Sequence, residues 1–218
     1  MKIAVLGTGM VGSALATKLV QAGHQVMMGS RSADSKPAQD WKKSAGEGAQ
    51  IGTFAEAAAF GELILSCTNG ANAVAALQQA GEANLRGKIV IDVSNPLDTS
   101  QKPPTLLFCN TDSLGERIQR EFPKSLVVKA LNTVNVAVMI NPMIVPDDHN
   151  LFICGNDAAA KDKVSQFIAD NLGWKRDRIL DLGDITAARG MEMYMPIWLR
   201  LWSTLGTLHF NVQVLCGR

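Results

Sequence analysis

The chain is poor in the features that mark secreted, metal-binding or nucleic-acid-binding proteins. Four cysteines occur in 218 residues, Cys67, Cys109, Cys154 and Cys216, and none belongs to a CxxC pair. Thiols so scattered make neither a disulfide framework nor a zinc set, and they predict buried thiols in a reducing compartment. The three histidines (His24, His149, His209) have no metal-ligand spacing, so no metal site is expected. His209 is expected to pack within the C-terminal segment. Neither charge sign dominates: 21 Lys and Arg face 20 Asp and Glu, which leaves no electrostatic footprint for nucleic acid or an anionic membrane. Met1-Lys2 leads directly into an apolar run, without the basic segment and cleavage site of an export signal, so a cytoplasmic location is expected. The most apolar stretch, Met191 to Cys216, is interrupted by Glu192, Arg200, His209 and Asn211. A spanning helix wants about 20 residues nearly free of such groups, so this stretch is expected to be buried against the domain or a second subunit. HExxH, P-loop and GxSxG patterns are missing as well, which sets aside metalloproteases, P-loop NTPases and serine hydrolases.

What is present is a chain 47% hydrophobic and 19% charged, ample for one core at this length. Short apolar runs alternate with segments of helical period, the pattern of a parallel sheet wrapped by helices. Strands are predicted over 2–6, 25–29, near 51, and over 63–67, 88–93, 126–130, 151–154 and 179–182. Helices are predicted over 10–21, 37–45, 54–60, 71–80, 114–122 and 158–171. Runs apolar on both faces suit the middle of a covered sheet. Residues 96–104, with three prolines, read as a loop over one end of the sheet. Asp184 opens a helical tail predicted to run nearly to Arg218, with a break at Pro196. The fold class is therefore α/β, a doubly wound, mainly parallel Rossmann-type sheet over 1–183, followed by a helical segment over 184–218.

Gly7-Thr8-Gly9-Met10-Val11-Gly12 fits GxGxxG. Alone it is a weak signal, but here it directly follows an apolar strand, opens a helix, and precedes a second strand at βαβ spacing. Gly7 permits the tight turn, Gly9 lets backbone approach a pyrophosphate, and Gly12 allows helix–strand contact. The helix N-terminus then offers free N–H groups to phosphates. At the end of the second strand, an NAD site places an Asp or Glu against the ribose 2′-hydroxyl. This chain instead has Gly29-Ser30-Arg31-Ser32. Arg31 suits a 2′-phosphate through a charge-assisted fork, Ser30 and Ser32 carry hydroxyls, and Lys36 adds a second positive charge. The cofactor expected is NADP. Three further strand ends are polar: Thr68-Asn69, Ser94-Asn95-Pro96 and Asn132-Thr133. These groups suit the nicotinamide ribose or carboxamide, although turn residues of the same kind also serve their own backbone. No Lys or His stands out as a general acid, so no catalytic side chain is assigned. Hydride passage between two stacked rings needs orientation and water exclusion more than proton transfer.

Taken together, Lys2–Gly9, the Ala22-Gly23-His24 turn, Gly29–Ser32, Asp92–Leu97, Val128–Thr133, Cys154–Asp157 and Leu180–Gly183 resemble the F420-dependent NADP oxidoreductases. The same nucleotide domain is similar to the cytosolic portion of six-transmembrane ferric reductases. The resemblance covers nearly the whole chain. It implies an NADPH site built from Thr8, Met10, Val11, Ser30 and Arg31, an acceptor cleft between sheet and tail, and a homodimer joined through the tail. Asn132-Thr133-Val134-Asn135 stands where archaeal members read His-Thr-Ile-Pro, and Trp198 and Trp202 give the cleft a different wall; both bear on the acceptor's identity. The expected function is an NADPH-dependent oxidoreductase whose partner is a small flavin-like or deazaflavin acceptor. Two alternatives stay open: an NADP(H)-binding redox sensor without turnover, and a short relative of imine or 2-hydroxyacid reductases. The last is disfavoured because no Lys follows Lys175.

Overall fold

The first strand shows why its sequence is continuously apolar. In the computed structural model, which describes residues 1–100 and 102–217, β1 (Lys2–Leu6) buries Ile3 and Val5 in one core cluster. Ala4 and Leu6, on its other face, belong to a second cluster. Side chains alternate across a strand, so a strand covered by helices on both sides carries no polar face. α1 (Met10–Gln21) buries Leu15, Ala16 and Leu19 against the first cluster. β2 (Gln25–Ser30), α2 (Lys36–Ala45), β3 (Ala49–Thr53) and α3 (Phe54–Phe60) follow. α3 opens on a capping box: Thr53 Oγ1 accepts from the Glu56 amide while the Glu56 carboxylate accepts from the Thr53 amide.

The chain then crosses to the other side of β1 with β4 (Leu63–Ser66), α4 (Ala73–Ala80), α5 (Glu82–Leu85) and β5 (Ile89–Asp92). A two-residue ladder pairs β6 (Leu97–Asp98), inside the segment expected to be plain loop, with β7 (Thr105–Leu106), just beyond it; position 101 is outside the described residues. α6 (Leu114–Glu121), β8 (Leu126–Ala130), α7 (Val136–Ile140), β9 (Leu151–Gly155), α8 (Ala158–Leu172), β10 (Ile179–Asp181), α9 (Ala188–Met193) and α10 (Met195–Leu205) complete the chain. The sheet order is β3-β2-β1-β4-β5-β8-β9-β10. All neighbours are parallel except β8 and β9, so the last two strands run against the others. Because β2 lies on one side of β1 and β4 on the other, the strand order reverses there, and the crevice opens outside the carboxyl ends of β1 and β4.

After β10 the chain turns at Gly183, whose φ of 102° suits glycine, and comes back along α6. Ile185, Ala188 and Met191 join the second cluster, and the Met191 carbonyl reaches Asn132 at the carboxyl rim. The helical tail is shorter than the sequence pattern predicts. It ends at Leu205, where Gly206 takes a left-handed conformation (φ 65°), and residues 207–217 have no regular secondary structure. That last segment is held by its own bonds: the Asn150 amide donates to Val212 O (2.9 Å) and Asn211 Nδ2 to Asn150 O (2.8 Å). The expected break falls at Tyr194, with Pro196 in the first turn of α10, where its missing N–H costs nothing. His209, expected inside the tail, is exposed. Of the four thiols, Cys67 and Cys154 are buried but Cys109 and Cys216 are exposed, because both lie in irregular segments. No helix among the described residues is long and apolar enough to cross a membrane.

Candidate functional site

The three motif glycines have three different surroundings. Gly7 has a φ of 125°, and a Cβ there would lie 2.7 Å from the Cys67 carbonyl oxygen. A Cβ on Gly12 would lie 2.1 Å from the Gly7 carbonyl oxygen, so α1 sits directly on the turn. Around Gly9 there is nothing within 4 Å, and that open space faces the crevice. No side chain caps α1 at Gly9, which leaves the first-turn amides free for an anion.

Two compartments meet at Gly9 and Cys67–Asn69. One, about 620 Å³, is lined by Gly7, Thr8, Ser30, Arg31 and Ser32, with Pro37, Phe54 and Gln79 further along. Arg31 is exposed and enters no ion pair among the described residues. The Ser30 hydroxyl donates to the Ser32 carbonyl, and Ser32 Oγ accepts from the Asp34 amide at 3.2 Å, so both serines shape the turn that presents Arg31. Lys36 lies outside this wall and pairs with Asp40 at 2.7 Å on α2. The second compartment, about 360 Å³, lies under the tail. Met10, Val11, Ser94, Asn95 and Asn132 line it with Met139, Met195 and Trp198. Pro96 and Thr133 are not among the residues that line it.

Its polar rim is tied together. Leu131, with φ 66°, turns the chain after β8, an uncommon conformation for a residue with a side chain. Asn132 Nδ2 donates to Asn95 Oδ1 (2.9 Å), and Asn95 Nδ2 donates to Asn132 O (2.8 Å). Thr68 Oγ1, Asn132 Oδ1, Thr133 Oγ1 and Trp198 Nε1 are buried without a hydrogen-bond partner among the described residues. Buried polar atoms are seldom left so, and three of these four belong to residues lining the second compartment. Open space at Gly9, free amides on α1, an unpaired Arg31 and these waiting polar atoms fit a dinucleotide lying across both compartments.

The cysteine at the junction is a buried free thiol. Burial, reinforced by the Asp92 carboxylate, pushes the Cys67 thiol far above its usual range. Cys154 is pushed up to about 12, again by burial first. Among the described residues no cluster of His, Cys, Asp and Glu could hold a metal. Sequence reasoning missed one group beneath the rim: Lys129 is fully buried between Asp92 and Glu192, 2.8 Å from each. A lysine at the end of an otherwise apolar strand was the available signal.

A doubly wound sheet with this crevice and this glycine turn defines a Rossmann-type dinucleotide-binding protein. Comparison with known proteins narrows the class. A family described as "NADP oxidoreductase coenzyme F420-dependent" matches residues 2–96. The F420-dependent NADP reductase of Methanothermobacter marburgensis is 30% identical over 213 residues, covering 92% of each chain. An Arthrobacter sp. FB24 protein ascribed F420-dependent NADP-reductase activity has a crystal structure that superposes with a TM-score of 0.93. It is 47% identical, with 99% of this chain and 100% of that one covered. Rat Metalloreductase STEAP3 is 30% identical over 205 residues, but this chain spans only 38% of its length. An Aspergillus terreus reductive aminase crystallised with NADPH shares the fold, with a TM-score of 0.66 at 18% identity. The chain belongs to the F420-dependent NADP oxidoreductase family, and it is an NADP-dependent oxidoreductase.

Proposed function

We propose that this protein passes hydride between NADP(H) and a flavin-like or deazaflavin acceptor, as a cytoplasmic homodimer. The observation that carries the reading is the pair of compartments joined at Gly9 and Cys67–Asn69, one presenting an unpaired Arg31 and the other walled by methionines and Trp198. In this reading Arg31 holds the 2′-phosphate, on a turn built by Ser30 and Ser32. The glycine turn and the amides at Met10, Val11 and Gly12 hold the pyrophosphate. Thr68, Asn69, Ser94, Asn95, Pro96, Asn132 and Thr133 surround the nicotinamide and its ribose. The bound nicotinamide supplies the hydride. The chain's own part is to hold two rings face to face at about 3–3.5 Å and to keep water out, which Met10, Met139, Met195 and Trp198 do. The proton that accompanies the hydride onto a ring nitrogen of the acceptor is left to solvent, since no Lys or His is among the residues lining the second compartment.

The test is NADPH oxidation with a flavin, a deazaflavin and a ferric chelate in turn, alongside calorimetric titration with NADPH and NADH. Turnover with a ring acceptor, and NADPH binding at least tenfold tighter than NADH, is the expected result. Tight NADPH binding with no turnover on any acceptor overturns the enzymatic reading in favour of a redox sensor. No heat with either nucleotide removes the site altogether.

A further inference from the structure

Beneath the second compartment lies an ionic group that the hydride reading does not use. Lys129, at the end of β8, donates to Asp92 Oδ2 at 2.8 Å and to the Ser94 carbonyl, and it pairs with Glu192 Oε1 at 2.8 Å. All three of its N–H donors are therefore engaged, and no part of the side chain is exposed. Asp92 Oδ1 in turn accepts from the Ser94 amide (3.1 Å) and the Ser94 hydroxyl. Glu192 comes from α9, in the tail, and accepts from the Leu114 amide (2.8 Å) and the Gly115 amide (3.0 Å) at the start of α6. Although burial disfavours the ammonium, the two carboxylates outweigh it and hold the Lys129 pKa above the ordinary lysine value.

This cluster ties together three walls that otherwise have no covalent reason to keep register. Ser94 precedes Asn95, which exchanges amide hydrogen bonds with Asn132. Asn132 also donates to the carbonyl of Met191 (3.2 Å), the residue before Glu192. Met195 and Trp198 follow on the same tail and close the cleft. A buried ion pair is a poor device for stability, since apolar side chains of equal size generally do as well. What it offers is direction: a carboxylate bonded to two amides and an ammonium has one seat, whereas an apolar side chain slides. We propose that Glu192 and Lys129 are positioning residues, which fix the tail against the β5 and β8 loops and thereby set the gap between nicotinamide and acceptor. The proposal rests on the reading of the second compartment as the acceptor site.

The experiment compares wild type with Glu192→Gln and with the triple variant Asp92→Asn/Lys129→Met/Glu192→Met, which leaves no charge of the cluster buried. Three quantities are measured: the NADPH dissociation constant, kcat and acceptor KM, and hydrogen–deuterium exchange of the amides in 188–198. The expected result is NADPH affinity within about threefold of wild type, because neither Lys129 nor Glu192 lines either compartment. Tail exchange should be at least tenfold faster and kcat at least tenfold lower in both variants. Variants that fold, exchange as slowly as wild type and keep kcat and acceptor KM within twofold would overturn the proposal. So would failure of both variants to fold, since the cluster would then support the whole molecule and not the cleft. A wild type without turnover whose variants still loosen the tail at unchanged NADPH affinity refutes the hydride reading alone and leaves the positioning of the tail supported.

Discussion

Gly9 and Gly12 stand three residues apart in one turn, and substitution should separate their roles. A side chain at Gly9 meets open space, so Gly9→Val should fold normally while its methyl groups fill the ground a pyrophosphate needs. Calorimetry should show no NADPH binding, and the unfolding midpoint should stay near that of wild type. Gly12→Ala does the reverse. Its methyl would lie 2.1 Å from the Gly7 carbonyl oxygen, against backbone that cannot swing aside, and overpacking of this kind costs about 1–3 kcal/mol. Urea unfolding of Gly12→Ala should show that loss directly. Arg31 is the third residue whose removal discriminates. A charge-assisted bond contributes about 1.5–3 kcal/mol, so Arg31→Asp should weaken NADPH binding roughly ten- to a hundredfold and leave NADH nearly unchanged. Equal loss for both nucleotides would place the 2′-phosphate elsewhere.

Among the elements, α6 and α9 are joined twice, by Glu192 at the start of α6 and by Glu116 with Arg189. Arg189 Nε donates to Glu116 Oε2 at 2.8 Å and its Nη2 reaches Oε1. The Arg189 guanidinium, aided by the Ser113 hydroxyl and opposed by partial burial, holds the Glu116 carboxyl below the usual glutamate range. A carboxyl whose pKa is lowered by folding contributes stability above its unfolded value, about 4.3, and that contribution fades as pH falls through the lower folded value. Thermal melts of wild type and Glu116→Gln should accordingly differ by a few degrees near neutrality, wild type being the more stable, and converge in acid. Such elements were legible in the sequence to very different degrees. The central strands announced themselves because each is apolar on both faces, and α3 because alanine fills its segment, whereas the short ladder of β6 and β7 beside the prolines did not. The clamp of Asp92, Lys129 and Glu192 was not legible, since its members are distant in sequence and meet only when β5, β8 and α9 converge. Nor was the end of the tail helix, where the apolar pattern runs on past Gly206 into a segment held by Asn150 and Asn211. Arg31 stood out because the strand end before it lacks the usual carboxylate, whereas a cleft between sheet and tail was implied only by the family resemblance, because Met195 and Trp198 lie far in sequence from the rest of its lining.

At the scale of the whole molecule, α10 has one face on the cleft and another without cover. Met195 and Trp198 are buried, whereas Ile197, Trp202 and Leu205 are 55%, 45% and 54% exposed. An apolar stripe of that kind favours association, and a homodimer should form through it. Light scattering at micromolar concentration should give twice the chain mass, and Leu205→Asp should return the mass to that of one chain. A single-chain mass for wild type would refute the tail as the joint. The reversal of β9 and β10 has a consequence of its own. Since the last strand points away from the crevice, the chain must double back at Gly183 and ascend beside α6 before Trp198 can reach its place. The part of the second compartment's wall made by Met195 and Trp198 is thus the tip of an arm that starts at the far side of the sheet, while the glycine turn and Arg31 lie in the first half of the fold. Each residue added to or removed from the helical part of that arm would move its tip by about 1.5 Å and swing it by about 100°, which reshapes the second compartment while the glycine turn and Arg31 stay where they are.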